Sequence, residues 1–191
     1  MQKMNLKHYE QTIKSMTKTP ELNDWRLTIG LVKPNSRVLS IGCGSGREVK
    51  YLVEIGCNVT AIDIDPECVR LSKEIEPNAK YIVGDALNLN IDIKFDYVIC
   101  LNRTINYLLD QQDKVNLVNK MYSFLKPHGR LIISTTHFFS SIKSMCVSVL
   151  PTRTKLGYYP RPSQIGKWFE GLEGEIFTSK IDSTQVILLK K

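Results

Sequence analysis

Residues 37–47 read Arg37-Val38-Leu39-Ser40-Ile41-Gly42-Cys43-Gly44-Ser45-Gly46-Arg47. Arg37 to Ile41 is a short apolar run that predicts a strand. A glycine-rich turn follows at once. Arg47 to Ile55 then predicts a helix, with Val49, Leu52, Val53 and Ile55 apolar and Gly56 as its stop. A strand that runs through glycines into a helix predicts a ligand site. Glycine lets a ligand approach the backbone closely, and the helix start offers free N–H groups and the positive end of a dipole. The glycines fall at 42, 44 and 46, so the spacing is G-x-G-x-G and departs from the dinucleotide fingerprint G-x-G-x-x-G. No G-K-[ST] follows, which excludes a Walker A loop.

Outward from this turn, strands and helices alternate. Asn58 to Ile62 predicts a second strand ending in Asp63, and Pro66 opens a helix through about Glu74. Lys80 to Val83 predicts a third strand closed by Gly84 and Asp85, and Phe95 to Leu101 a fourth. A helix from Asp110 to Leu125, ended by Lys126-Pro127-His128-Gly129, precedes a fifth strand, Arg130 to Ser134. Gly174 to Lys180 and Thr184 to Leu189 predict two closing strands. Their short connection, Ile181-Asp182-Ser183, can join only antiparallel neighbours. The strands are continuous apolar runs, as a sheet buried on both faces demands. The expected fold is α/β: a Rossmann-like, doubly wound, mostly parallel seven-stranded sheet with an antiparallel element at one edge.

Two helices, about Leu6 to Met16 and Glu21 to Val32, are expected before the sheet. Thr136 to Glu173 is the least regular stretch, with a helix over Phe138 to Leu150 and a loop from Pro151 to Pro162. One domain is expected over 1–191: an N-terminal helical cap (1–34), a cofactor-binding core (35–135), and a substrate-side segment with the closing strands (136–191).

The composition, 42% hydrophobic and 24% charged over 191 residues, is that of a soluble globular domain and argues against a disordered, collagen-like or coiled-coil chain. No apolar run reaches the roughly 18 residues of a membrane span. Met1 to Glu10 carries Lys3 and Lys7 with no apolar block behind them, so a secretory leader is not expected. Cys43, Cys57, Cys68, Cys100 and Cys146 lie far apart with no C-x-x-C pair, which points to reduced thiols in a cytoplasmic protein and to no metal site. The net charge of +7 is uneven: +5 over residues 1–50, −2 over 51–135 and +4 over 136–191. The basic flanks read either as solvated surface or as a surface for an anionic substrate, a phosphorylated metabolite or RNA.

Asp63, ending the second strand, stands where a carboxylate accepts bonds from ribose hydroxyls. Asp85, ending the third after Gly84, is placed for an adenine amino group. Three successive strand ends thus offer a glycine cradle and two acids, which together describe an adenosine site at the carboxyl edge of a sheet. At this point the sequence resembles the class I S-adenosylmethionine-dependent methyltransferases. The resemblance rests on Val38 to Gly46, Val59 to Glu67, Gly84-Asp85-Ala86, Phe95 to Ile99, and Leu125 to Ile133 for the family's L-K-P-G-G-x-L segment. Five motifs in register cover about residues 30–135.

The resemblance implies S-adenosylmethionine as cofactor and S-adenosylhomocysteine as product. It implies contacts from Gly42, Cys43, Gly44 and Gly46, from Asp63 and Ile64, from Gly84, Asp85 and Ala86, and from Leu101 and Asn102. Ser40 departs from the pattern, because the family usually has an acid there that helps hold the ammonium of the methionine moiety. Glu48 is the nearby carboxylate. His128 replaces a more usual glycine, which reads as neutral. Asn102 and His137 are the catalytic candidates, His137 as a general base near neutral pH; a hydrogen-bonded structural histidine and a turn asparagine are the plainer alternatives. Tyr9, Arg103, Tyr107, Tyr158 and Arg161 are the substrate-side candidates.

The leading expectation is in-line methyl transfer to an N or O atom of a small-molecule acceptor, an anionic one if the basic flanks meet it, by a monomer or homodimer with no membrane attachment. The alternatives are an RNA methyltransferase and a non-catalytic or NAD-binding Rossmann protein. Leu101-Asn102-Arg103-Thr104 lacks the N-P-P-Y or D-P-P-Y of adenine-N6 DNA methylases.

Overall fold

The computed structural model describes residues 30–136, 162–181 and 184–191. In chain order its elements are β1 (Arg37–Ile41), α1 (Arg47–Glu54), β2 (Asn58–Asp63), α2 (Pro66–Ile75), β3 (Lys80–Val83), β4 (Phe95–Cys100), α3 (Gln111–Ser123), β5 (Leu125–Thr136), α4 (Pro162–Trp168), β6 (Glu175–Ile181) and β7 (Thr184–Lys190). The strands form one sheet in the order β3-β2-β1-β4-β5-β7-β6. β1 pairs parallel with β2 and β4, β2 with β3, and β4 with β5. β7 runs antiparallel between β5 and β6. The expected doubly wound sheet with an antiparallel edge is therefore the observed one, and its strand order reverses between β1 and β4.

Apolar residues fill both faces of the strands. Val38 and Leu39 are adjacent and both fully buried, yet they belong to opposite cores. Val38 packs with Val49 and Leu52 of α1, together with Val59, Ile99 and Ile132. Leu39 packs with Leu117, Val118 and Met121 of α3 and with Ile165 and Trp168 of α4. Caps fix where the helices begin. Asp65 accepts from the Glu67 N–H at 2.9 Å behind Pro66, and Asp110 accepts from the Gln112 N–H at 2.6 Å. Cys43, Cys57, Cys68 and Cys100 are buried thiols. No helix among the described residues is long and apolar enough to cross a membrane.

Several boundaries differ from the sequence reading. α3 ends at Ser123 rather than Leu125, because Leu125 already pairs with Phe95 and the Phe95 N–H donates to the Phe124 carbonyl at 2.9 Å. β5 thus begins five residues before Arg130, and the pairing slips register between Phe95 and Tyr97. His128, at φ 64°, lies in the left-handed region where glycine is at ease. Its replacement of glycine is not neutral and carries a backbone cost of about 1–2 kcal/mol. β4 stops at Cys100, one residue short of Leu101. Of the expected helix over 21–32, Gly30 and Leu31 are described and helical. The helices expected over 6–16 and 138–150 and the loop expected over 151–162 lie outside the described residues, save Pro162, which is the first residue of α4.

The sequence reading gave no helix at α4. It forms because Ile165, Trp168 and Phe169 share one face, which buries all three side chains on the core. The Trp168 Nε1–H donates to Gln111 Oε1 at 3.1 Å, so the indole is both packed and satisfied. Trp168→Ala should lower unfolding free energy by about 3–5 kcal/mol. Urea denaturation measures this, and a loss under about 1 kcal/mol contradicts this packing.

Candidate functional site

The glycine turn is held by its own backbone. Gly42, Gly44 and Gly46 have φ of 70, 53 and 78°, a region that favours glycine. The Gly42 and Cys43 N–H groups both donate to the Ile62 carbonyl, at 2.8 and 3.1 Å, and the Gly46 N–H donates to the Cys43 carbonyl at 2.9 Å. A Cβ at Gly42 would stand 2.2 Å from Thr104 Cγ2, and one at Gly46 would stand 2.0 Å from Ser72 Oγ. Glycine is thus required at both places by the chain's own packing as well as by the dihedrals.

Gly44 serves the turn differently, since its N–H donates to Asp63 Oδ2 at 2.8 Å. The other oxygen, Oδ1, accepts from the Asp65 N–H at 3.0 Å. Asp63 therefore ties the turn to the end of β2, while helix capping falls to Asp65. Two donors leave this carboxylate with further lone pairs. Burial pushes its pKa up from 3.8, and the N–H groups of Asp65 and Gly44 pull it partly back. Asp85 also caps locally: it accepts from the Leu87 N–H at 2.9 Å and from Asn88 Nδ2 at 3.2 Å, at the start of the short 3-10 turn Ala86–Asn88. Its neighbour Gly84 is joined to the site by an N–H bond to the Asp63 carbonyl at 2.9 Å. Ile64 and Val83 end this side of the edge as exposed apolar side chains.

The Cys43 and Leu101 side chains sit in the core, 3% and 2% exposed. Burial, and then the carboxylates of Glu48 and Asp63, push the Cys43 thiol far up, so it stays protonated and is no nucleophile.

Past β4, Asn102 and Arg103 occupy consecutive left-handed positions, φ 54 and 64°. Non-glycine residues held this way are over-determined by their surroundings. Here the Arg103 N–H donates to Ser134 Oγ at 3.4 Å, and the Thr104 hydroxyl donates to the Leu101 carbonyl at 2.8 Å. Asn102 Oδ1 accepts from Arg47 Nη2 at 3.0 Å, which joins the end of β4 to the start of α1. Arg103 and Tyr107 are exposed beyond it.

The structure thus gathers Gly42, Gly44, Gly46, Asp63 and Asn102 around the strand-order reversal, with Ile64 and the Gly84–Ala86 turn alongside. Tyr9, His137, Tyr158 and Arg161 lie outside the described residues. Sequence reasoning missed Arg47. Its signal was available, because Arg47 holds the position where the dinucleotide spacing breaks. It also missed the buried pair Thr135 and Asn106, whose hydroxyl and Oδ1 meet at 2.6 Å. An open groove lined by Lys73, Lys80, Tyr81, Ile91 and Phe95 lies toward the amino-terminal ends of β3 and β4 and holds none of the candidates.

The raised Asp63 pKa sets a sign. Between 3.8 and the raised value the folded chain holds a proton that the unfolded chain has released. The contribution of Asp63 to stability therefore falls as pH rises through that window and is flat above it. Urea unfolding of wild type and Asp63→Asn over a pH series should give a stability difference that shrinks in this direction. A difference that grows with pH contradicts the assignment of burial as the larger effect.

Residues 38–129 match a family model described as a methyltransferase domain. A ubiquinone biosynthesis O-methyltransferase of Xanthomonas campestris pv. campestris is 28% identical over 154 residues, covering 73% of this chain and 63% of the relative. A carboxy-S-adenosyl-L-methionine synthase of Vibrio parahaemolyticus is 30% identical over 116 residues, covering 56% and 47%. The chain thus spans less than two thirds of the length of these relatives. A solved TehB-like SAM-dependent methyltransferase from Corynebacterium glutamicum superposes with a TM-score of 0.74 at 19% identity, over 98% of this chain and all of that one, which establishes the shared fold. The matched stretch runs from β1 to the irregularity in β5 and so contains every element that builds the edge. The chain is thus similar to methyltransferases over the stretch that builds the edge, and it shares the fold of a solved SAM-dependent methyltransferase.

Proposed function

We propose that this chain binds S-adenosylmethionine at the carboxyl edge of β1, β2, β3 and β4 and transfers its methyl group to an N or O atom of a small-molecule acceptor. The observation that carries the reading is the Asp63 tie. A partly buried carboxylate at the end of β2 fixes a left-handed glycine turn beside the reversal of strand order, which is where open α/β sheets take nucleotides. The residues present fit the cofactor on other grounds too. Asp63 keeps lone pairs for ribose hydroxyls, Ile64 and Val83 offer apolar surface to an adenine, and buried Arg47 Nη1 has no hydrogen-bond partner among the described residues.

The cofactor supplies a methyl group already activated on a sulfonium, with a neutral leaving group. What is left to the chain is to bind, to align and to exclude water. Alignment of this kind is worth roughly 7–11 kcal/mol. Asn102 has no proton that titrates near neutrality, so its role is orientation, set by the left-handed backbone and the Arg47 bond. Any general base comes from elsewhere, and His137 is the candidate. Arg103 and Tyr107, exposed beyond β4, face the acceptor in this reading. Residues 1–34 and 136–191, carrying Tyr9, Tyr158 and Arg161, complete its site. The small-molecule class is supported by the O-methyltransferase name of the relative from Xanthomonas campestris.

Calorimetry with S-adenosylhomocysteine and with NAD separates the readings. The homocysteine compound should bind and NAD should not, and Asp63→Ala should weaken binding by roughly 10–100-fold, the worth of a hydrogen bond to a charged group. Incubation with methyl-labelled S-adenosylmethionine and a metabolite extract should then label a small product. Binding of NAD alone, or label found only in RNA, overturns the proposal.

A further inference from the structure

The segment that joins β4 to α3, residues 101–110, crosses the carboxyl ends of three strands and is fastened along its length. It leaves β4 directly. Thr104 packs on the glycine turn after β1, with its hydroxyl 3.4 Å from the Gly42 carbonyl. Asn106 is 3% exposed, and its Oδ1 accepts from the Thr135 hydroxyl at 2.6 Å, which ties the segment to the end of β5. Farther on, Lys114 Nζ donates to the Leu108 carbonyl from α3. Lys114 is fully buried, so this ammonium serves the backbone of the segment and not the solvent.

On a backbone fixed in this way the side chains divide. Ile105 and Asn106 are buried, and Leu108 packs against the core. Tyr107 and Leu109 are 62% and 60% exposed. Leu108 between them is extended, φ −72° and ψ 119°, so its two neighbours project together on the side away from the core. The exposed apolar residues of the carboxyl edge thus form two pairs. Ile64 and Val83 stand at the ends of β2 and β3, where the cofactor reading places the adenine. Tyr107 and Leu109 stand past β4, across the strand-order reversal, and no part of the cofactor falls to them. Large apolar side chains held out into water on a pinned segment beside a site mark a surface for a ligand. The Tyr107 ring gives that surface a flat face.

Charge gives the surface a direction. Arg103 is exposed and opens the 3-10 turn Thr104–Tyr107, while Asp110 and Asp113 follow Leu109 at the start of α3. An anionic group is favoured at the Arg103 end and opposed at the α3 end. We propose that Tyr107 and Leu109 form a shelf for the methyl acceptor, and that the acceptor is a ring-bearing apolar molecule with one anionic group, which lies toward Arg103. The proposal rests on the cofactor reading above and adds the acceptor's class to it. Tyr107, Leu109 and Arg103 are then specificity residues, and none of them moves a proton.

Two probes separate the ring from the charge. 8-Anilinonaphthalene-1-sulfonate has both, and N-phenyl-1-naphthylamine has the same rings without the charge. In fluorescence titrations of the full chain loaded with S-adenosylhomocysteine, both should bind, the sulfonate more tightly. Tyr107→Ser and Leu109→Ser should each weaken both probes by about tenfold and leave the calorimetric affinity for S-adenosylhomocysteine within about twofold. Arg103→Asn, which suits a left-handed backbone, should weaken the sulfonate by about tenfold and leave the neutral probe within about twofold. The product labelled from a metabolite extract should be retained on both a reversed-phase and an anion-exchange column. Probe binding that none of the variants moves overturns the shelf. So does a wild type that binds S-adenosylhomocysteine and neither probe. No labelled product, or one that passes through either column, overturns the acceptor class. Variants that weaken S-adenosylhomocysteine as much as the probes assign these residues a structural role, which also overturns it. A wild type that does not bind S-adenosylhomocysteine removes the cofactor reading itself, and the shelf with it.

Discussion

The Asp63 carboxylate is the constraint on which the site depends. With one oxygen on the Gly44 N–H and the other on the Asp65 N–H, it holds the glycine turn against the end of β2 and sets the direction in which α2 leaves the sheet. The turn in turn fixes the start of α1, and the start of α1 carries Arg47 to Asn102. A single side chain therefore ties the first crossover to the second. It does so while burial opposes its charge, and that cost is accepted where position matters more than stability.

Much of the fold was legible because the sheet is buried on both faces. Continuous apolar runs such as Arg37–Ile41 and Phe95–Cys100 have no solvent side to mark with polar residues. Glycine and acid at successive strand ends then gave the edge that a ligand would meet. The closing strands were legible from a connection too short for a crossover. The pairing of β7 between β5 and β6, by contrast, is a long-range outcome.

What was not legible depended on partners remote in sequence. α4 hid behind Gly166 and a proline-rich approach, and its helix is secured by Trp168 reaching Gln111, 57 residues away. The end of α3 was misjudged by two residues because Leu125 answers to Phe95 and not to the helix pattern. His128 looked harmless until its left-handed backbone was known. At the site, sequence position alone could not tell that Asp85 also caps a local turn, that the Cys43 and Leu101 side chains are buried, or that Gly42 and Gly46 are demanded by Thr104 and Ser72. The charges of Arg47 and Glu48 were plain in the sequence, but their convergence on Asn102 was not.

We propose that the carboxyl edge around the β1–β4 reversal binds S-adenosylmethionine. Backbone amide NMR spectra recorded with and without S-adenosylhomocysteine test it most directly. Shift changes should concentrate at Gly42 to Glu48, Asp63 to Asp65, Gly84 to Ala86 and Asn102. Changes confined to Lys73, Lys80, Tyr81, Ile91 and Phe95, in the groove toward the opposite edge, would contradict it, as would spectra that do not move.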